Sequence, residues 1–340
     1  MAGSLGWGNR LRYLVKRARA IDTANLRRLA GLIAASSGRP RLFITLDMLW
    51  AAVRHETAFQ DYFDWDFHTL TSRERRTFIT HPKSNHLALR LNAVEHRSTF
   101  ANKALFNVRF APYLGREWID VRTANDDELS AFLARHSRVI AKVADSLGGD
   151  GIEAFTSADV SEVAAFRAAR IANRQVLLEE FLTQHPEMSR LNDSSVNTLR
   201  IVTYLDDAGT VHTLARVLKM GNGGDVDNFS DGGMYTMLDA DGVAHYAAFD
   251  GAGGVYTVHP RSGTSIVGFA VPQWDAVQAL VEKLAREVPD IRYVGWDVAI
   301  TPSGAAVIEG NYNTGVFQLK PSATGVREGL LPVYRAAIGF

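Results

Sequence analysis

Asp297, Glu309 and Asn311 fall within one short stretch, Tyr293 to Gly315, which reads YVGWDVAITPSGAAVIEGNYNTG. Two apolar runs flank the turn signal Thr301-Pro302-Ser303-Gly304, a β-hairpin pattern. Two carboxylates and an amide oxygen are hard ligands of the type Mg²⁺ takes, usually together with substrate phosphates. Whether they meet depends on register. A two-residue turn at Pro302-Ser303 sets Asp297 opposite Ile308 and turns Glu309 to the other face. A three-residue loop with Gly304 left-handed, followed by a bulge, shifts the pairing by one. Asp297 then lies opposite Glu309, with Asn311 on the same face as Glu309. The metal reading thus requires a bulge at Gly304; otherwise these are polar residues on a solvent face.

Other stretches carry chemistry of their own. Lys142 lies in an apolar strand, and Asp145 to Gly151 follows it with three glycines, Gly148, Gly149 and Gly151. Backbone N–H groups of such a loop cradle anionic oxygens while the ammonium supplies charge. The loop is neither a Walker A nor a G-x-G-x-x-G sequence, and a plain surface turn reads the same way. Val176 to Leu182 (VLLEEFL) is an apolar strand whose polar edge offers backbone groups to a purine, or ends in two solvated glutamates. Asn197 and Arg200 stand three apart in one strand, so they point to opposite faces. Arg216 and Lys219 do the same in the next. A strand arginine needs a partner, because burying its charge unpaired is costly. An anionic substrate or an internal ion pair satisfies that need equally. Gly221 to Gly233 begins with an EF-hand-like spacing at Asp225 and Asp227. Phe229 and Thr236 then occupy positions that need oxygen ligands, so the glycine content suits a loop closing over a site better than calcium.

The elements that must position these residues change character along the chain. Residues 1–100 show helical periodicity, over Asn9–Ala35, Leu42–Phe59, Thr71–Ile79 and Leu87–Leu105. From about 101 strands and helices mix. Strands are expected at Trp118–Arg122, Arg138–Ala144, Gln175–Glu180, Ser195–Leu205, Val211–Met220, Tyr235–Leu238 and Val243–Ala248. Helices are expected at Asp126–Arg135, Ala158–Ala172, Pro272–Glu287 and Thr324–Ala337. This is an α+β layout with mostly antiparallel strands behind a helical N-terminal region. At 340 residues, 46% hydrophobic and 22% charged, the chain has the composition of a globular protein with a real core. It has no cysteine, which excludes a thiol nucleophile and Cys-based metal sites. The sequence has neither an apolar run of the ~20 residues a membrane span needs nor the apolar core of a signal peptide, so a cytoplasmic location is expected. Net charge is zero, yet Arg10 to Arg41 holds nine Arg/Lys against Asp22. A basic helix of this kind suits an anionic membrane surface, a solvated face or packing on the acidic remainder. No base-reading motif accompanies it, so nucleic acid is not expected as a partner.

In this order the pieces resemble the ATP-grasp superfamily, and within it the sugar-transfer-associated branch. The matching stretches are DYFDWDF with SRERRTFIT, SSVNTLRIVTYL, DNFSDGG and YVGWDVAITPSGAAVIEGN, across about residues 60–320. The resemblance implies two α+β lobes clasping ATP, the smaller at about 115–182 and the larger at about 183–340, within a catalytic region 101–340. It implies that Lys103 and Lys142 contact ATP phosphates beneath a loop of Gly148, Gly149 and Gly151. Glu179, Glu180 and Leu182 form the adenine hinge, and Glu187 or Gln184 meets the ribose. Asn197, Arg200 and Arg216 approach the phosphates or an acyl phosphate, and Asp297, Glu309 and Asn311 hold Mg²⁺ (or Mn²⁺). Many relatives carry Glu-Lys at the hinge, where this chain has Glu179-Glu180. The implied activity is ATP-dependent ligation of a small-molecule carboxylate to an amine, on a surface-polysaccharide or sugar-acid precursor. A phosphotransferase or a non-catalytic nucleotide- or glycan-binding module are the alternatives.

Overall fold

The computed structural model of the chain describes residues 22–145, 151–223 and 232–340. Gly148, Gly149, Asp225, Asp227 and Phe229 lie outside them, as does the start of the basic segment. Two compact units divide the chain, the first ending at Leu70 and the second running from Thr71 to Phe340.

In the first unit, Asp22 caps helix Thr23–Ser37 by accepting the Asn25 amide at 2.9 Å, and left-handed Gly38 ends it. Pro40 opens the next helix, Arg41–Arg54. Leu26, Leu29, Ala30 and Ile33 bury one stripe of the first helix; Ile44, Met48 and Ala51 bury one stripe of the second. The turn of DYFDWDF follows in helix Phe59–Asp64, and the Tyr62 hydroxyl donates to Asp47 at 2.5 Å.

The second unit carries two antiparallel sheets. The smaller has the order β1-β4-β2-β3, from β1 (Trp118–Asp120), β2 (Arg138–Lys142), β3 (Glu153–Thr156) and β4 (Leu177–Glu180). Helices Asp126–Arg135 and Val163–Ala172 accompany it. Leu129 and Phe132 of the first pack with Val139, Ala141 and Leu178 of the sheet, and Val163 and Phe166 of the second lie against that core. The strand period of two then turns Ile140, Lys142 and Glu179 to the opposite face. The larger sheet has the order β11-β10-β5-β6-β7-β8-β9, with β5 (Thr198–Leu205), β6 (Val211–Met220), β7 (Met234–Met237), β8 (Ala248–Asp250), β9 (Val255–Tyr256), β10 (Tyr293–Thr301) and β11 (Gly304–Asn311). Helix Trp274–Glu287 covers one face through Trp274, Val277, Leu280, Val281 and Leu284, as its periodicity predicts.

Several expected elements are shorter or broken, each for a local reason. The helix expected over Leu87–Leu105 is instead His81–Leu91, Arg97–Ala101 and Lys103–Arg109. Asn92 leaves the helix and spends its amide on the Tyr293 and Tyr312 carbonyls and the Tyr293 N–H. Asn102 caps the next helix by accepting from Ala104 and Leu105 amides. Asparagine competes for backbone groups in just this way. The expected closing helix is split into Pro321–Thr324 and Leu331–Ile338, because Gly325 takes φ +75° after the first. Of the strand expected at Val243–Ala248, only isolated bridges at Val243 and Ala244 precede β8.

Behind the hairpin, Gly310 faces Trp296 across β10 and β11. A Cβ there would approach the Phe100 and Trp296 rings at 2.9 Å. These rings belong to a cluster with Phe106 and Phe110, so they have little room to yield. Gly310→Ala is expected to cost about 1–3 kcal/mol of stability through overpacking, read as a lowered urea midpoint with an unchanged slope.

Candidate active site

The hairpin brings its acids together, but by a different bulge from the one expected. Thr301 pairs with Gly304, so the turn is the two-residue Pro302-Ser303. Pairing continues without a shift to Val298–Val307, then steps by one, and Asp297 faces Glu309 while Gly295 faces Asn311. The extra residue is Ile308, not one at Gly304. A bulge frees backbone groups from the ladder, and here the Val307 and Ile308 carbonyls accept from Arg116 at 2.7 and 3.2 Å.

Asp297 is buried and bound by a two-pronged contact: Arg200 donates Nε to one oxygen at 2.6 Å and Nη2 to the other at 2.7 Å. Burial alone would raise its pKa, but Arg200 and Lys219 outweigh it and bring the value down to about 2. Strand register supplies the remaining charge. Thr198 faces Lys219, and Arg200 faces Val217. Lys219 therefore shares a face with Arg200, Asp297 and Glu309. Asn311 donates to Glu309 at 3.2 Å.

The smaller sheet contributes a second charged cluster. Glu179, almost fully buried, accepts from Arg116 Nε at 2.8 Å, Lys142 Nζ at 2.5 Å and Asn107 Nδ2 at 2.9 Å. Its burial would raise the pKa, yet Arg116 and Lys142 hold the carboxyl far below its ordinary range. Arg138 stacks its guanidinium 3.9 Å from the centre of the Phe181 ring.

Between these clusters lies a cavity of about 500 Å³. One part of its lining is apolar, from Ile140, Ile152, Leu182, Val196 and Ile308; another is charged, from Lys103, Lys142, Lys219, Asp297 and Glu309. Lys103 is pushed below the ordinary lysine range, first by burial and also by Lys142, against the pull of Glu309 and Glu179.

The residues singled out in the sequence divide on this geometry. Lys103, Lys142, Glu179, Glu180, Leu182, Asp297 and Glu309 line the cavity, and Asn311 lines the small recess beside it. Gly151, at φ +75°, lies at the edge of the glycine loop; a Cβ there would meet Val143 at 2.6 Å. Five residues differ from expectation. Arg216 faces Ile201 across the sheet and lines a separate hollow with Trp274 and Val277, because its parity is that of the helix-covered face. Asn197 is wholly buried, its Nδ2 spent on Gln184, Met188 and Asn192. Gln184 gives its own amide to Asn192 and Ser195. Glu187 is exposed and paired with Arg190 at 2.8 Å. Arg200 is not on the cavity wall among the described residues; it holds Asp297. The sequence reading passed over Arg116, Arg138 and Thr198 and left Lys219 unassigned. The parity of Lys219 with Thr198 could have placed it.

The pattern of the sugar-transfer-associated ATP-grasp family matches residues 84–330. The chain belongs to this family. Its fold is the α+β ATP-grasp fold. No curated protein sequence matches it. Among solved structures, it is similar to the ATP-grasp ligase PsnB, held with a phosphomimetic variant of a minimal precursor, Mg and ADP: 15% identity, TM-score 0.44, over 73% of this chain and 60% of that one. D-alanyl-alanine synthetase A from Vibrio cholerae gives 11% and 0.43, over 76% and 69%. The ADP complex of purK, an N5-carboxyaminoimidazole ribonucleotide synthetase, gives 12% and 0.39, over 64% and 46%. The chain thus spans less than two thirds of the length of that PsnB chain and of the purK chain.

An ATP-grasp chain calls for a test of whether its residues suit Mg²⁺. Asp297 stays ionised, and each of its oxygens keeps a lone pair beyond the one Arg200 takes. Glu309 faces it across the strands, and Asn311 adds an amide. Among the described residues no group of three His, Cys, Asp or Glu is placed to hold a metal ion by itself. Mg²⁺ favours just such a set of one or two carboxylates completed by phosphates and water. The residues fit the ion.

The Asp297 shift has a sign that can be measured. Its folded pKa, about 2, lies below the ordinary 3.8, so the stabilisation is fully present above about pH 4 and disappears as pH falls through 2. At about 1.4 kcal/mol per unit, it amounts to about 2 kcal/mol. Melting curves between pH 5 and pH 2 are expected to fall less steeply for Asp297→Asn than for the parent chain. Parallel curves would mean that Asp297 carries no such shift.

Proposed function

We propose that this chain is an ATP- and Mg²⁺-dependent ligase that joins a carboxylate to an amine through an acyl phosphate. The observation that carries this reading is the meeting of Asp297 and Glu309 with Lys103, Lys142 and Lys219 on one cavity whose wall also holds an apolar stretch, Ile140, Ile152, Leu182, Val196 and Ile308. That division matches the two halves of a nucleotide, a flat base and a polyanionic tail. In this reading the nucleotide lies between lobes 115–182 and 183–340. The base occupies the slot of Ile140, Ile152, Leu182 and Ile308. The hinge amides of Glu180 and Phe181 are already given to the Glu117 and Arg138 carbonyls, so Leu182 is the hinge residue assigned to the base, with Glu179 below it as an internal counter-ion. Lys103 and Lys142 take the phosphates, together with the loop of Gly148, Gly149 and Gly151. Lys219 takes the place first assigned to Arg216, and Arg200 orients Asp297.

Asp297, Glu309 and Asn311 hold Mg²⁺, or Mn²⁺, which when bound offsets phosphate charge. A substrate carboxylate oxygen attacks the γ-phosphorus, the bond to ADP breaks, and an acyl phosphate forms. An amine then attacks the carbonyl carbon, loses a proton and expels phosphate. The protein's part is positioning and electrostatics, and no side-chain nucleophile is needed, in keeping with the absence of cysteine. The family's association with sugar transfer supports an acid or amine on a surface-polysaccharide or sugar-acid precursor.

Mass spectrometry of acid and amine pairs incubated with ATP is expected to yield an amide and ADP in equal amounts. Accumulation of a phosphorylated product with no dependence on amine would instead establish a phosphotransferase. Glu309→Gln is expected to lower ADP formation by 100-fold or more, on the order of what a lost charge-stabilising group costs; unchanged turnover would remove the metal assignment.

Lys103 supplies a further test. Because its pKa is lowered, it loses its proton at a lower pH than an exposed lysine. Nucleotide affinity, followed by calorimetry, should therefore weaken as pH rises, before the ordinary lysine value of 10.5 is reached. Lys103→Met should bind more weakly and lose that slope.

A further inference from the structure

Helix Arg41–Arg54 is apolar on two opposite faces. Ile44, Met48 and Ala51 are buried against the rest of the first unit. Leu42, Phe43, Leu46, Trp50 and Val53 form a second stripe, at helical spacing on the far side, with 47% to 73% of their surface exposed. Neighbouring Leu32 on helix Thr23–Ser37 is also exposed, at 47%. Isolated exposed leucines need no explanation, but a continuous aromatic and aliphatic stripe marks a docking surface.

Charge identifies the neighbour. Arg27, Arg28, Arg39, Arg41 and Arg54 are exposed on the same two helices and the turn between them. The one acid within helix Arg41–Arg54, Asp47, accepts the Tyr62 hydroxyl. From Arg10 to Arg41 the sequence carries nine basic residues and a single acid. A second copy meeting this face would set like charge against like charge, which costs binding energy. An anionic lipid surface has the opposite charge, takes Trp, Phe and Leu at its interface, and gains from each nearby Lys or Arg.

We propose that the Leu42–Val53 stripe, together with the exposed arginines of the two helices and their turn, docks on the surface of a membrane rich in anionic lipid, lying on it without spanning it. Among the described residues no helix is long and apolar enough to cross a membrane. This inference stands apart from the reading of the cavity, since none of its residues lines it.

The test is flotation of the full chain with phosphatidylcholine vesicles, with and without about one third phosphatidylglycerol, an anionic share ample for the attraction expected of a basic interfacial helix. Binding is expected to the anionic vesicles, to fall at least tenfold in high salt, and to fall at least tenfold in Leu46→Asp/Trp50→Asp. Arg27→Glu/Arg28→Glu is expected to weaken it separately, with all variants melting as the parent does. No binding to anionic vesicles, or binding indifferent to both variants, would overturn the proposal. A parent chain that sediments as a dimer, and becomes a monomer in Leu46→Asp/Trp50→Asp, would give the face to a second copy instead.

Discussion

A single buried carboxylate, Glu179, governs how the second unit holds its charges. Taking such an ion out of water costs several kcal/mol even after relaxation, and the cost is offset only by well-placed partners. Glu179 has three, Arg116, Lys142 and Asn107. Arg116 in turn spends its other donors on the carbonyls of Leu114, Val307 and Ile308. Two of those carbonyls are exposed to it by the bulge at Ile308. The bulge is also the step that sets Asp297 opposite Glu309. One ion pair thus ties the smaller sheet, where Lys142 stands, to the strand that carries the acids. Arg116 contributes more than charge here, because its planar fork satisfies a carboxylate and three carbonyls at once, which a lysine could not.

The larger sheet separates its two faces by strand period. On one, Trp296, Ile201 and Leu218 join helix Trp274–Glu287 in an apolar core. On the other, Arg200, Lys219, Asp297 and Glu309 stand together. Two acids directly across from one another repel, and the arrangement is tenable because Arg200 grips one of them with two hydrogen bonds. Close approach is needed for this. Gly295 faces Asn311 across the hairpin, and a Cβ on it would lie 2.1 Å from Thr314 Oγ1 and 3.0 Å from Arg200 Cδ. Glycine in the middle of a strand weakens it, and here the space of the missing side chain is taken by Thr314, with the Arg200 arm beside it.

Much of this was legible in the sequence, at the level of elements and composition of the site. The succession of most strands along the chain and the amphipathic helix at Trp274–Glu287 follow from periodicity and residue type, and the pairing of Asp297 with Glu309 was one of two registers the hairpin left open. What did not follow has physical causes. A bulge shifts register by one wherever it sits, so the hairpin's outcome was correct while its position was not. Arg216 and Lys219 are both cations in one strand, and only the pairing partner, Thr198, tells which faces the acids. Asn197 reads as a polar residue awaiting a ligand, yet its donors serve Gln184 and the carbonyls of the segment before β5. Arg116 sits in a connecting stretch with no periodicity, so nothing local distinguishes it from a surface arginine. Asn92 and Asn102 interrupt a helical pattern through hydrogen bonds that form only once β10 and the next helix are in place.

In the proposed reading, the cavity's charges also account for a small set of metal ligands. A dedicated cage of carboxylates would bind a cation without substrate and would repel a polyphosphate. Here acids (Glu153, Glu179, Glu180, Asp297 and Glu309) and cations (Lys103, Arg116, Arg138, Lys142 and Lys219) share one wall, so neither an isolated cation nor an isolated anion is fully matched by it. Lys103 has a lowered proton affinity, imposed first by burial and then by Lys142, against the pull of Glu309 and Glu179. A cation and a polyanion arriving together relieve both sides at once, since each supplies the counter-charge the other's neighbours lack. Lys142 can then be shared with a phosphate without stranding Glu179, because Arg116 and Asn107 remain on that carboxylate. The ion pair that fixes the two sheets thereby leaves one of its members available to a ligand, and the fold does not have to be loosened to admit it.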